Sequence, residues 1–371
     1  MKNHSFTENI LLIIRQEFGK EEEQIFEKSL LIQYLNKKTR SANRGSKSRG
    51  GFANLYAIYV IIEDYIANGF EKQGDYSAYE GALFSNLFVR QRELLFGNKL
   101  QNHALNNRVN SEFQKCFPGS EYIPILRNHE TNRYWFNENL LKIKINKKTH
   151  NIAKTVIAII DEYIRTKQSA FQRFVKSCEE LQKISNSPQA VEKFILSLLA
   201  PNVDARFFEI VSYSILKYYY HDQQIYWGFD LKKLNKENLT LYKTGRTNAN
   251  DGGIDFVMKP LGRFFQVTEV LDFKKYFLDI DKIQKYPVSF IVKSEKTIEE
   301  ILDKIRDNAS KTYSIKTIVD KYMSCIEEII NIPTLVSCFE KTVDQGYLNH
   351  VLEEIVLQSK VEFNYEDEND E

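Results

Sequence analysis

The chain has 371 residues, of which 43% are hydrophobic and 27% charged, and its 51 Lys and Arg nearly balance 50 Asp and Glu. This is the composition of an ordinary globular protein, long enough for about two domains. It excludes a low-complexity chain, and the four scattered cysteines, with no Cys-x-x-Cys spacing, argue against a disulfide framework or zinc site. Apolar runs such as "VIAII" and "AIYVII" are too short to span a bilayer. The N-terminal segment "MKNHSFTENILLIIRQEFGK" lacks the basic, apolar, small-residue order of a secretion signal, so a reducing cytoplasm is the expected compartment.

Residues 6 to 35 carry apolar positions at three- and four-residue spacing and read as helical. The Gly/Ser/Arg stretch 40 to 51 breaks that pattern and reads as a loop. "FANLYAIYVIIEDYIANG" resumes a helix that stops at Gly69. Residues 70 to 150 are mixed, with short strand-like runs, and 151 to 199 return to helix with a break at "SNSP", 185 to 188.

After Pro201 the pattern changes. "DARFFEIVSYSILKYYY" is a helix with apolar positions at Phe208, Val211, Ile215 and Tyr219. Strand-like runs follow: "QIYWGF", "LTLYKTG", "IDFVMK", "RFFQVT" and, after a helix near 274 to 285, "VSFIVK". Helices resume from about 297. This order predicts an α/β protein, with a C-terminal mixed β-sheet flanked by helices and a mainly helical N-terminal domain. The expected divisions are 1–185, mainly helical; 186–320, the sheet domain; 321–360, C-terminal helices; and 361–371, an acidic disordered tail.

The net charge of +1 hides strong local bias. Residues 37 to 49 carry six Lys/Arg and no acid, and 140 to 154 carry five Lys and no acid, whereas 361 to 371 carry six acids and no base.

The chemistry gathers in "DGGIDFVMKPLGRFFQVTE", residues 251 to 269. "KPLG" predicts a turn joining two strands as a hairpin. Pairing then brings Asp255 beside Gln266, and strand alternation sets Gln266 and Thr268 on one face. Their oxygens suit a hard cation such as Mg²⁺. Glu209, in the apolar helix context "FFEIV", is a third acid able to face the same spot. Taken singly, Asp255 could instead bond loop amides at the start of a strand, and Glu209 could be an exposed helical residue.

"FFEIVSYSIL", then "NDGGIDF", ten intervening residues after Asp255 and "QVT" together resemble the PD-(D/E)XK nuclease superfamily. The members most similar read Gly-Gly-x-Asp…Gln-x-Lys, and the stretch looks like that of type II restriction endonucleases. The resemblance covers roughly residues 200 to 310. It implies a restriction-endonuclease-like core in which Asp255 is the central metal ligand, Gln266 the second and Glu209 the helical acid. Thr268 falls where the family has its Lys, a departure, because a hydroxyl cannot supply that charge. Lys293, in the later strand, or Lys243 would have to replace it in space. Glu269 would join the ligands if a bulge turned it inward. A literal Asp-x-Lys at Asp272–Phe273–Lys274 is the other alignment, disfavoured because "VLDFKKYFLDIDKI" reads as helical. His221, beside "KYYY", reads as a packing or surface residue.

The function implied is Mg²⁺-dependent, sequence-specific hydrolysis of phosphodiester bonds in double-stranded DNA. Residues 1–185 would bind DNA, with Arg40, Arg44, Lys47 and Arg49 on a flexible loop and Arg90, Arg92 and Arg108 among Asn and Gln side chains suited to base edges. Each of these can equally be a solvated surface residue. A homodimer would cut both strands, and a companion DNA methyltransferase gene is expected. The alternatives are a repair or structure-specific endonuclease with the same core, and a catalytically inactive DNA-binding protein.

Overall fold

The computed structural model describes residues 3–40, 42, 49–72, 75–97, 100–183, 188–201, 203–244, 254–269 and 271–363, the side chains of 49–51, 182–183 and 363 excepted. Two compact units divide at residue 173/174: Met1–Arg173 and Phe174–Glu371.

The first unit begins with α1 (Thr7–Phe18), α2 (Glu22–Lys28), α3 (Leu30–Lys38) and α4 (Arg49–Ala67). Almost every described position of α4 from Phe52 to Tyr65 is buried, as an all-round apolar helix requires. It stops before Gly69, whose φ of 78° only glycine adopts without strain. β1 (Ala82–Leu83), α5 (Phe84–Glu93), α6 (Val109–Cys116), β2 (Ile125–Asn128) and β3 (Arg133–Phe136) follow, the three strands pairing in the order β1-β3-β2. A hairpin of β4 (Lys142–Ile145) and β5 (Lys148–Asn151) leads into α7 (Ala153–Lys183). The expected boundary at 185 is thus displaced into α7. Ile159, Ile160 and Tyr163 of α7 belong to the first core, and Cys178 to the second.

The second unit continues with α8 (Pro188–Ser197) and α9 (Ala205–His221), then a separate hairpin, β6 (Gln224–Trp227) and β7 (Asn235–Asn238). "QIYWGF" therefore does not join the main sheet. β8 (Thr240–Lys243), β9 (Phe256–Lys259) and β10 (Arg263–Thr268) form an antiparallel meander. The turn between β9 and β10 uses Gly262 at φ 66°. α10 (Phe273–Lys282) crosses over to β11 (Val288–Val292), parallel to β10. α11 (Ile298–Thr312) and α12 (Lys316–Met323) lead to β12 (Ile326–Ile330), parallel to β11, and the chain closes with α13 (Ile332–Asp344) and α14 (Leu348–Phe363). The sheet order is β12-β11-β10-β9-β8.

β12 was not expected, because "IEEII" offers two acids and no alternation. Glu328 pairs with Arg263 at 2.5 Å, and Arg263 also donates to Ser289 of β11 at 3.0 Å, so one row of polar side chains crosses β10, β11 and β12. With β12 in the sheet and α13 and α14 in contact with α9, residues 321–360 belong to the same unit as 186–320 rather than to an appendage.

The sheet has two covered faces. Leu241, Phe256, Met258, Phe265, Ile291 and Ile330 pack with Phe208, Val211 and Ile215 of α9. Val288, Phe290, Val292 and Ile329 pack with Tyr276 and Phe277 of α10 and with α11. The alternation of Phe290, Ile291 and Val292 between the two cores is the strand period of two, and a sheet buried on both faces explains why "VSFIV" is continuously apolar. Phe265 is fully buried on the α9 face. Phe265→Ala is expected to destabilise the second unit by about 3–5 kcal/mol, read as a lowered denaturation midpoint in that unit's transition.

Candidate functional site

Four strands of the main sheet end together. β8 ends at Lys243, antiparallel β9 begins just after Asp255, β10 ends at Thr268 and β11 at Val292. The first turns of α9 lie over this end, since Lys243 Nζ stands 3.3 Å from Glu209 Oε1. Ligands of open α/β sheets bind at such strand ends, where neighbouring chains diverge.

The divergence starts at Asp255. Its amide still bonds the Phe265 carbonyl at 2.9 Å. The next β10 amide on that edge, Val267 N, donates instead to the Asp255 carboxylate, at 2.7 Å to Oδ2. A side chain has taken the place of the strand's own acceptor, so β9 is released from β10 without leaving Val267 N unpaired. Gln266 meets the same residue from the other side: its Nε2 donates to Val267 O at 3.1 Å. Asp255 and Gln266 both end on the main chain of Val267. One Asp255 oxygen thus does fill the structural role of bonding a nearby amide.

Gln266 Oε1 is buried and receives no hydrogen bond. A buried oxygen without a partner costs about 1–3 kcal/mol. Thr268 is also buried, and alternation along the unbroken β10–β11 register sets both on the side of Phe264, away from α9.

Lys293 follows β11. Its amide bonds Thr268 O at 2.9 Å, but its side chain turns to the α9 side, 5.8 Å above the Phe208 ring. Nζ donates to Glu269 Oε1 at 2.8 Å and to the Val203 carbonyl just before α9. The Lys293 side chain is only 2% exposed. The parallel register opposes Thr268 to Val292 and so carries Lys293 to the face opposite Gln266 and Thr268. Glu269 goes with it. Glu209, on α9, is likewise on that side and not on the face of Gln266.

The site has two halves. At the strand split are Asp255 and Gln266 around Val267. On the α9 side are two buried or half-buried ion pairs, Glu209–Lys243 and Glu269–Lys293. The Glu209–Lys243 pair was not foreseen, although Lys243 stood as an alternative cation. Its signal is in the sequence: Lys243 is two residues from Leu241, so strand periodicity turns it to the apolar face where α9 packs.

The donors suit a hard cation in kind: carboxylates, an amide oxygen and, in Gln266 Oε1, an orphaned buried acceptor. Among the described residues, however, no three of Asp, Glu, His and Cys gather closely enough to hold one ion. Glu209 and Glu269 each face a lysine. Asp272, of the alternative Asp-x-Lys, caps α10 by accepting from Lys274 N at 3.1 Å, so that motif is helical as expected.

Of the residues assigned to DNA, Arg44 and Lys47 lie outside the described residues, as does the Arg49 side chain. Arg40 is exposed. Arg90 makes two 2.8 Å bonds to Glu63, and Arg92 lies 5.6 Å from the Phe88 ring. Arg108 donates to Glu112 at 2.9 Å. Lys38 shares that carboxylate, and Lys37 donates to Cys116 of the same helix at 2.9 Å. Burial, with Arg108 beside it, pushes the Lys38 ammonium down to about 8. A cluster of cations thus stands where α3 runs into the basic segment.

No protein-family model, no curated protein and no solved structure matches the chain. No described helix is long and apolar enough to cross a membrane.

Removing one member of a buried ion pair strands the other. Lys293→Met is expected to cost about 3 kcal/mol, and Lys293→Met with Glu269→Gln clearly less than the sum of the single changes. Chemical denaturation of the four-member cycle measures this, and additive losses would mean that the two side chains do not interact.

Proposed function

We propose that the chain is a Mg²⁺-dependent endonuclease of the PD-(D/E)XK type that cuts double-stranded DNA at specific sites, as type II restriction endonucleases do. The observation that carries this is the strand split at Asp255: an acid-bearing helix, a three-strand meander, a crossover helix and a parallel strand, with acids and lysines where β9 leaves β10. That order and that location are what the sequence resemblance implies. Asp255 and Gln266 would hold the ion, which when bound supplies charge neutralisation at the phosphate and a more acidic water.

The chain's own residues do the rest. Asp255 fixes Val267 and with it the end of β10. Lys243 and Lys293 are held against α9 by carboxylates and by the Val203 carbonyl, so their charge is fixed near the phosphate with little freedom left to lose. In this reading an ammonium on the α9 side, Lys243 or Lys293, would supply from the other side of the strand end the positive charge that Thr268 lacks. The Lys37, Lys38 and Arg108 cluster, with Arg40 and the basic segment 37 to 49, would follow the phosphate backbone. Two copies would address the two strands, and a methyltransferase encoded nearby would protect the host's own sites.

A second reading has its own support. Thr268 at the lysine position, and lysines already neutralised by Glu209 and Glu269, favour a DNA-binding protein that does not cut. A supercoiled plasmid incubated with Mg²⁺, and in parallel with EDTA, separates the two. Discrete fragments mean site-specific cleavage, unspecific nicking means a repair-like enzyme, and intact plasmid in every divalent metal means binding alone.

Asp255→Ala is expected to abolish cutting while DNA affinity is retained or slightly raised, since one negative charge near the phosphate is removed. Gln266→Ala should reduce cutting far more than Asp272→Ala, which removes only a helix cap. Rates near wild type for Asp255→Ala would rule out this site.

Changing Arg40, Arg44, Lys47 and Arg49 together to Ala should weaken binding to any duplex. It should also flatten the slope of log affinity against log salt by about 0.9 for each phosphate no longer neutralised. An unchanged slope in a filter-binding titration would return this segment to solvent.

A further inference from the structure

The β6–β7 hairpin carries an exposed apolar surface that the fold does not use. Phe229 at its tip is fully exposed and Leu231 is 89% exposed, and Tyr226, Trp227 and Leu234 add to the same ribbon. The tip is a defined turn. Asp230 accepts from Lys232 N at 2.9 Å, the Lys233 amide bonds Asp230 O at 2.9 Å, and Gly228 packs so close that an added Cβ would sit 2.6 Å from Lys233 O. The backbone is thus shaped to hold two large apolar side chains in water, a cost that soluble surfaces normally avoid unless something covers them.

We infer that this hairpin is the contact between two copies of the chain, packed tip against tip about a twofold axis. Three observations favour a second copy over nucleic acid. The hairpin leaves α9 at His221, twelve residues beyond Glu209, so it departs about 18 Å along the helix from the candidate site and leaves that end of the sheet open. Its charge is nearly balanced, Lys232, Lys233 and Lys236 against Asp230 and Glu237, whereas a phosphate backbone calls for a basic surface. The area also fits. At about 200 Å² for a fully exposed large side chain, Phe229 and Leu231 alone present roughly 390 Å² per copy, and the exposed residues on one face of the ribbon extend this toward the ~800 Å² per partner of a standard interface. The inference stands whether or not the protein cuts DNA.

Sedimentation velocity of the full chain across a concentration series tests it. Wild type is expected to be a dimer at tens of micromolar. Phe229→Asp with Leu231→Asp should raise the dimer dissociation constant tenfold or more, and the milder Phe229→Ser with Leu231→Ser should fall between. Circular dichroism and the thermal midpoint of the monomer should be unchanged, because neither side chain belongs to a core. A wild-type monomer over the whole range, or double variants that dimerise like wild type, would overturn the inference. So would a monomeric wild type whose duplex-DNA affinity falls with the tip substitutions, which would make the hairpin a nucleic-acid wedge.

Discussion

The second unit depends on how β9 is released from β10. Antiparallel strands normally stay joined until a turn separates them, because each amide on the shared edge needs an acceptor. Here the Asp255 carboxylate supplies that acceptor to Val267 N. The strands can part inside the sheet, with covered faces on both sides, while the Val267 amide keeps an acceptor. At the same end the parallel register carries Gln266 and Thr268 to one face and Lys293 to the other, where Glu269 and Glu209 also lie.

Much of this was legible in the sequence. The helix–strand order of residues 205 to 292 follows from apolar periodicity, and the turn at "KPLG" follows from its glycine. The hairpin itself also follows, and Asp255 and Gln266 each bond the main chain of Val267. What the letters could not carry is the face on which later residues emerge. A parallel register is set by the crossover helix α10 and not by a turn, so a shift of one residue would exchange the faces of Thr268 and Lys293. β12 was hidden for a related reason: its acids are matched by Arg263, some sixty residues earlier in the chain. The end of the first unit was hidden too, because α7 continues unbroken through it and only the packing partners of its apolar residues change.

The two ion pairs are not economical as stabilising devices. Bringing a lysine and a glutamate out of water costs several kcal/mol per ion, and an apolar pair of similar volume often serves the fold as well or better. Lys293 is almost fully enclosed, with Phe208 beneath it, a position that a leucine or methionine would fill. The sheet nevertheless keeps two such pairs on its α9 side, at the end where β9 leaves β10.

The partners of the lysines limit what the two cations could do. Each ammonium is held by a carboxylate, so the local charge is nearly neutral and would not attract a phosphate over long distance. Attraction would have to come from elsewhere, and the cations of the first unit are suited to it: they extend from α3 into a segment with six basic residues and no acid. On the proposed reading, encounter and chemistry would fall to different parts of the chain: the basic segment would capture the polyanion in a salt-dependent way, and the charge-balanced strand end would act on one phosphate.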